Sequence, residues 1–206
     1  MTQLASPQID RDVSRYSVGG ARVPSVTEVL SIAGLVNFDG VPANLLASAA
    51  ERGRAAHRIT QLYDQGEDPK QAPNYGALEP YLAAYLKFRA DVQFEPLFIE
   101  QLVVSQTYRF AGTFDRLGTA RAGELWLIDL KTSASISSWV GLQLAGYEIG
   151  LREELGQQDP IKRFALRLLL DGSYRLVPFA DRSDHHDFLA CTRIAHWRLR
   201  KGGVRL

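Results

Sequence analysis

The stretch Leu125-Trp126-Leu127-Ile128-Asp129-Leu130-Lys131 is short, almost wholly aliphatic and aromatic, and ends in two charged residues. An apolar run of this length is a buried strand rather than a helix. Side chains alternate along a strand, so Asp129 and Lys131 share one face near its end. A buried charge without a partner is costly, and a cation beside it relieves the cost. The chain must therefore fold around a sheet whose buried strand delivers a carboxylate and an ammonium to one place.

The preceding run, Tyr108 to Leu117, also alternates and carries Asp115 near its end. Gly118 to Gly123 supplies a turn, so the two runs read as a hairpin. Residues paired across a hairpin lie within about 5 Å of each other. Asp115 and Asp129 are thus expected to bind one divalent cation together. A hard cation such as Mg²⁺ takes oxygen ligands and keeps several waters, so two carboxylates and the Leu130 carbonyl suffice to hold it. Such an ion activates a bound water and polarises a phosphodiester oxygen. Lys131 is placed to orient that water or to offset the charge that grows at phosphorus. An Asp-x-Lys triplet also arises by chance about once per few hundred residues, and an Asp at a hairpin end is often a turn residue. The order of the surrounding motifs separates this triplet from chance.

That order is Ala111-Gly112-Thr113-Phe114-Asp115-Arg116, then Ile128-Asp129-Leu130-Lys131-Thr132, then Gln143-Leu144-Ala145-Gly146-Tyr147. It resembles the PD-(D/E)xK phosphodiesterase superfamily, and within it the RecB-like and phage-type exonuclease branch. The resemblance implies that Asp115 and Asp129 are metal ligands, that Lys131 is catalytic, and that Gln143 and Tyr147 lie on the following helix close to the site and contact DNA. Phe114 stands where many members have proline. Upstream, Gly53 to His57 looks like the helical Gly-x-x-x-His element that sets a histidine beside the metal. Pro24-Ser25-Val26-Thr27 resembles an N-terminal segment of phage members. Glu100, read as heading the strand before Asp115, matches an acidic residue that serves some members as a further ligand.

The resemblance further implies an α/β (α+β) restriction-endonuclease-like core, a central mixed β-sheet flanked by helices. The cofactor would be Mg²⁺ or Mn²⁺ and the partner DNA. A strand-annealing or recombinase partner and a homo-oligomer rest on the family analogy alone. A sequence- or structure-specific endonuclease and a non-catalytic DNA-binding subunit are the competing readings.

Each auxiliary residue has a plainer alternative. His57 is a lone helical histidine among Arg52, Arg54 and Arg58, Tyr147 has apolar neighbours suited to core packing, and Glu100 suits a solvated strand end. Those three arginines form one candidate phosphate patch. The other is the stretch of Arg193, His196, Arg198, Arg200, Lys201 and Arg205, which no acid follows after Asp187. The net charge is only +1, but a nucleic-acid enzyme needs a local patch rather than a uniformly basic surface.

At 206 residues the chain suits one domain: a helical N-terminal part over about 24–92, a core over about 95–180 and a C-terminal helix over about 183–200. The single cysteine, Cys191, leaves no disulfide framework and no four-cysteine iron–sulfur cluster. Residues 1–13 are polar, and no apolar run is long enough to span a bilayer, so a cytoplasmic location is expected. The pattern predicts a capped helix from Ser25 and helices over 42–65, 78–91 and 137–155. Strands are predicted near 96–105, 108–118, 124–131, 162–170 and 173–179. A last helix, capped by Ser183, is stopped by Gly202-Gly203.

Overall fold

The computed structural model describes residues 8–10, 15–37, 40–156, 159–202 and 204. Gly203 and Arg205 of the expected C-terminal stop and basic stretch lie outside them, as does most of the polar segment 1–13.

Five strands form the central sheet in chain order: β4 (Glu95–Ser105), β5 (Phe110–Thr119), β6 (Leu125–Lys131), β7 (Ile161–Leu168) and β8 (Tyr174–Pro178). All neighbours are antiparallel except β6 and β7, which run parallel. Parallel neighbours need a crossover, and helix α4 (Trp139–Leu155) provides it. The sheet is therefore mixed and flanked by helices, as the family resemblance implied. One face packs against α1 (Val26–Ala33), α4 and α5 (Ser183–Arg200) through Phe110, Phe114, Leu127, Leu144 and Phe188. The other packs against α2 (Ala43–Asp64) and α3 (Tyr75–Val92) through Ile59, Tyr85, Phe88, Ile128 and Leu166. Among the described residues no helix is long and apolar enough to cross a membrane.

Local chemistry accounts for the element ends. Ser25 and Glu28 form the expected capping box, with the Glu28 N–H donating to the Ser25 hydroxyl (3.0 Å) and the Ser25 N–H to the Glu28 carboxylate (2.7 Å). Gly156, at φ 61°, ends α4 in the left-handed region that glycine occupies without strain. Between β7 and β8, Asp171 accepts from the Ser173 N–H, closing the expected turn.

Three expectations shift. Helix α3 opens at Tyr75 instead of Leu78 and takes Pro80 into its body. Ser183 is the first helical residue of α5 rather than its cap; the Asp181 carboxylate accepts its N–H at 2.8 Å. The N-terminal segment adds a small antiparallel sheet of β1 (Gln8–Asp10), β2 (Arg15–Val18) and β3 (Ala21–Val23). Strands of three or four residues carry too little alternation to be read in advance.

Candidate active site

The β4–β5 ladder pairs Ile99 with Arg116 and Gln101 with Phe114, but Glu100 and Asp115 between them do not pair. Glu100 adopts φ +48° there, a conformation that costs a non-glycine residue on the order of 1 kcal/mol. Side-chain alternation along β5 changes phase at the same point. Phe110 and Gly112 face α5 and α4, whereas Arg116 reaches Asp64 at the end of α2. The irregularity turns Asp115 out of the ladder and toward β6.

Pairing of β5 with β6 also stops at Arg116 and Ile128. Beyond it, Asp115 Oδ2 accepts the Leu130 N–H at 2.6 Å, so a carboxylate replaces the next rung. The expected direct pairing of Asp115 with Asp129 is thus absent. Asp115 Oδ1 instead faces His57 Nδ1 at 3.4 Å, and Glu100 Oε1 lies 3.7 Å from the same nitrogen. His57 Nε2 is 3.1 Å from the Leu130 carbonyl oxygen. Glu100, expected at the head of its strand, sits in the middle of β4.

Asp129, 3 % exposed, turns to Lys131, whose Nζ is 2.6 Å from its Oδ2. Lys131 also donates to Gln143 Oε1 (3.3 Å) and lies 5.8 Å from the centre of the Trp139 ring. The Gln143 amide in turn donates to the Tyr147 hydroxyl at 3.1 Å. The Tyr147 ring is buried against Gly112, where an added Cβ would come within 2.8 Å of it. That ring offers no open face to a base.

Arg52, Arg54 and Arg58 are exposed on α2. At 100° per residue, Arg54 leaves the helix roughly 60° from His57, Arg58 roughly 100° and Arg52 roughly 140°. Arg58 is engaged by Gln61 (3.1 Å).

The charges disturb one another strongly. Burial opposes a charged His57, yet the Asp115 and Glu100 carboxylates outweigh it and push the imidazole up to about 9. Burial would raise Asp115 too, but His57, Lys131 and the Leu130 N–H hold it below the usual carboxylate range. Asp129 and Glu100 lie above that range, first through burial and then through the neighbouring Asp115, against the pull of Lys131 on the one and of His57 and Arg116 on the other. Lys131 is raised by Asp129 and Asp115 despite burial.

Sequence reasoning missed the scaffold behind Glu100. Arg116 is fully buried and donates to Asp64 Oδ2 (2.6 Å), Glu100 Oε1 (3.0 Å), the Asp115 carbonyl (2.7 Å) and Thr60 Oγ1 (3.2 Å). Asp64 also accepts from Arg89 (2.9 Å) and the Tyr85 hydroxyl (2.7 Å). A signal existed: His57, Thr60 and Asp64 fall at i, i+3 and i+7 on one helix face, and an arginine in an apolar strand requires a carboxylate.

The donor set suits a hard divalent cation. One atom each from His57, Glu100 and Asp115 lies within 4.8 Å of the others, and oxygen donors with one imidazole fit Mg²⁺ or Mn²⁺. Asp129 lies outside that triplet, but its buried Oδ2 makes no hydrogen bond of good geometry despite the nearby ammonium. Such an atom retains capacity for a cation.

No curated protein matches the chain in sequence. In structure it is similar to a candidate exonuclease of Eubacterium rectale, with a TM-score of 0.50 and 11% identity over 86% of this chain and 74% of that one. A weaker likeness is to LHK-Exo, an alkaline exonuclease of Laribacter hongkongensis, in complex with dAMP: TM-score 0.33, 15% identity, 88% of this chain and 93% of the other. The first of these speaks for the fold. The family model of the PD-(D/E)XK nuclease superfamily matches residues 74–196, which run from the start of α3 through the whole central sheet into α5. The chain belongs to the PD-(D/E)XK nuclease superfamily.

Proposed function

We propose that the chain is a Mg²⁺- or Mn²⁺-dependent deoxyribonuclease that hydrolyses phosphodiester bonds from a DNA end. The observation that carries this reading is the meeting of Asp115, Asp129 and Lys131 around the end of one buried strand, in a member of a nuclease superfamily. Asp115 and Asp129, with the Leu130 carbonyl, His57 and Glu100, would hold the metal. When bound, it supplies an activated water and offsets charge on the phosphate.

The protein's own groups do the rest. Lys131 neutralises the charge that grows on the phosphate oxygens. Gln143 holds the Lys131 ammonium through Oε1, and the Tyr147 hydroxyl fixes which way the Gln143 amide points. Tyr147 therefore acts through Gln143 rather than by stacking on a nucleotide. Arg54 is the best placed of the α2 arginines to meet a phosphate, with Arg52 and Arg58 farther round the helix.

The exonuclease reading follows the resemblance to the RecB-like and phage-type branch. With it go one catalytic domain over 1–206, a cytoplasmic setting, and service in DNA recombination, repair or phage DNA processing beside a strand-annealing partner. The test is digestion of matched linear and covalently closed DNA with Mg²⁺, Mn²⁺ or EDTA, with Asp129→Ala run beside wild type. Metal-dependent loss of the linear DNA alone, abolished in the variant, is expected. Cutting of both substrates would make the enzyme an endonuclease, and binding without cleavage under any metal would make it a non-catalytic subunit.

A further inference from the structure

A cleft of about 770 Å³ lies between β7 and the start of α5, but its cations are mostly committed. Arg163 is held by Asp184 (3.1 Å) and Glu148 (3.4 Å), and Lys162 by Glu124 (2.6 Å). A second groove differs. It has a volume of about 630 Å³ and runs between the β4–β5 turn and α5, lined by Tyr108, Arg109, Arg193, His196 and Arg200.

Arg109, Arg193 and Arg200 are exposed, and among the described residues none forms an ion pair. Arg193 and Arg200 are seven apart and so share a face of α5. The acid that reaches the turn, Glu153, is taken up by the Thr107 N–H (2.8 Å), the Thr107 hydroxyl (3.0 Å) and the Ser105 hydroxyl (2.6 Å). The groove is built rather than loose, since His196 Nε2 donates to the Tyr108 carbonyl at 3.0 Å and ties α5 to the turn. Arg109 is held at φ +54°, which a free surface residue avoids. Tyr108 in the groove and Trp197, four residues beyond Arg193 on α5, are 41 % and 55 % exposed, flat rings of the kind that stack on bases.

We infer that this groove binds the phosphate backbone of the substrate nucleic acid away from the reacting bond, an inference that rests on the nuclease reading above. Three exposed arginines without ion-pair partners, set along one groove, complement the repeated charges of a phosphate backbone. Arg109 precedes Asp115 by six residues, roughly 20 Å of strand, which is about six base pairs of duplex. The groove therefore engages long substrates and is beyond the reach of a single nucleotide.

The test is the triple variant Arg109→Asn, Arg193→Ala, Arg200→Ala; asparagine tolerates the left-handed backbone at 109. Anisotropy of a labelled 20-base-pair duplex, in EDTA to prevent cleavage, gives Kd against salt. Loss of three phosphate contacts lowers the slope of log K against log salt by about two to three. The ratio of variant to wild-type Kd then falls about fortyfold between about 50 and 200 mM salt. Hydrolysis of the p-nitrophenyl ester of thymidine 5′-phosphate should stay unchanged. An unchanged slope and Kd would overturn the groove while leaving nuclease activity standing. Arginine-dependent binding by a wild-type protein that cleaves nothing with Mg²⁺ or Mn²⁺ would overturn the nuclease reading and leave the groove.

Discussion

Asp64 lies outside the proposed metal ligands but anchors the arginine that holds Glu100, and its loss should cost the protein much stability. Its side chain has no solvent exposure and accepts from Arg116 (2.6 Å), Arg89 (2.9 Å) and Tyr85 (2.7 Å). Asp64→Asn keeps the shape but removes the charge that balances two guanidinium groups. Breaking a buried pair from one side costs about 3–5 kcal/mol, because the remaining cation stays desolvated. Arg89 keeps Glu95 (2.9 Å) and Arg116 keeps Glu100 (3.0 Å), which places the loss near the lower figure, about 3 kcal/mol. For a chain of this size the urea slope is about 2–3 kcal/mol/M, so the unfolding midpoint should fall by about 1–1.5 M. Glu95→Gln is the internal control: it touches the same Arg89, but Glu95 is 74% exposed, and such a pair contributes under about 1 kcal/mol. Midpoints for Asp64→Asn and Glu95→Gln that coincide within error would refute the idea that a desolvated charge network anchors α2 to β5.

Three more perturbations separate chemistry from scaffold. Lys131→Ala should retain the far-ultraviolet spectrum and duplex binding while kcat falls by about a hundredfold or more, as for loss of one group that stabilises transition-state charge; near wild-type cleavage would remove Lys131 from the mechanism. Gly146→Ala places a methyl 2.6 Å from the Phe188 ring, and such overpacking should cost about 1–3 kcal/mol in urea unfolding. Burial would raise Glu148, but His185 (2.8 Å) and Arg152 (2.7 Å) outweigh it and hold the carboxyl below its ordinary value of 4.5. A depressed folded pKa means stability that is present above 4.5 and lost as pH falls through the lower folded value. The midpoint difference between wild type and Glu148→Gln should accordingly be full at pH 7 and shrink below pH 4.5; a constant difference would show that packing, not charge, is at stake.

Features set by neighbouring residues were legible in the sequence. The Ser25–Glu28 capping box, the glycine at the end of α4 and the turn at Asp171-Gly172 each follow from local hydrogen bonding or backbone freedom. The alternation of β6 was legible for the same reason and sets Asp129 and Lys131 on one face; Asp115, expected near the end of its strand, sits instead in the middle of β5, where the alternation changes phase. What escaped was set by groups far apart in the chain. Nothing near Glu100 announces φ +48°; it sits beside a buried Arg116 whose other carboxylate partner, Asp64, is 52 residues away. An ideal hairpin puts Asp115 opposite Asp129, and only the broken ladder sends Asp115 to His57 and leaves Asp129 with Lys131.

The irregularity also explains why the scaffold carries so much buried charge. In a regular rung the Asp115 side chain would stand off one face of the sheet, whereas here it accepts the Leu130 N–H in place of a rung; that position goes with the unpairing of Glu100, and an unpaired, strained glutamate needs an anchor. Arg116 is that anchor, and because it follows Asp115 directly, one residue's hydrogen bonds to Glu100 and to the Asp115 carbonyl fix both acids. A neutral donor could not hold the Glu100 carboxylate and the Asp115 carbonyl together in low dielectric, and an exposed arginine would lose the contest to water. Arg116 must therefore be buried, burial demands Asp64, and Asp64 demands Arg89 and Tyr85 on α3. The placement of two acids within reach of His57 thus propagates outward, group by group, until the last charge, Glu95, meets solvent.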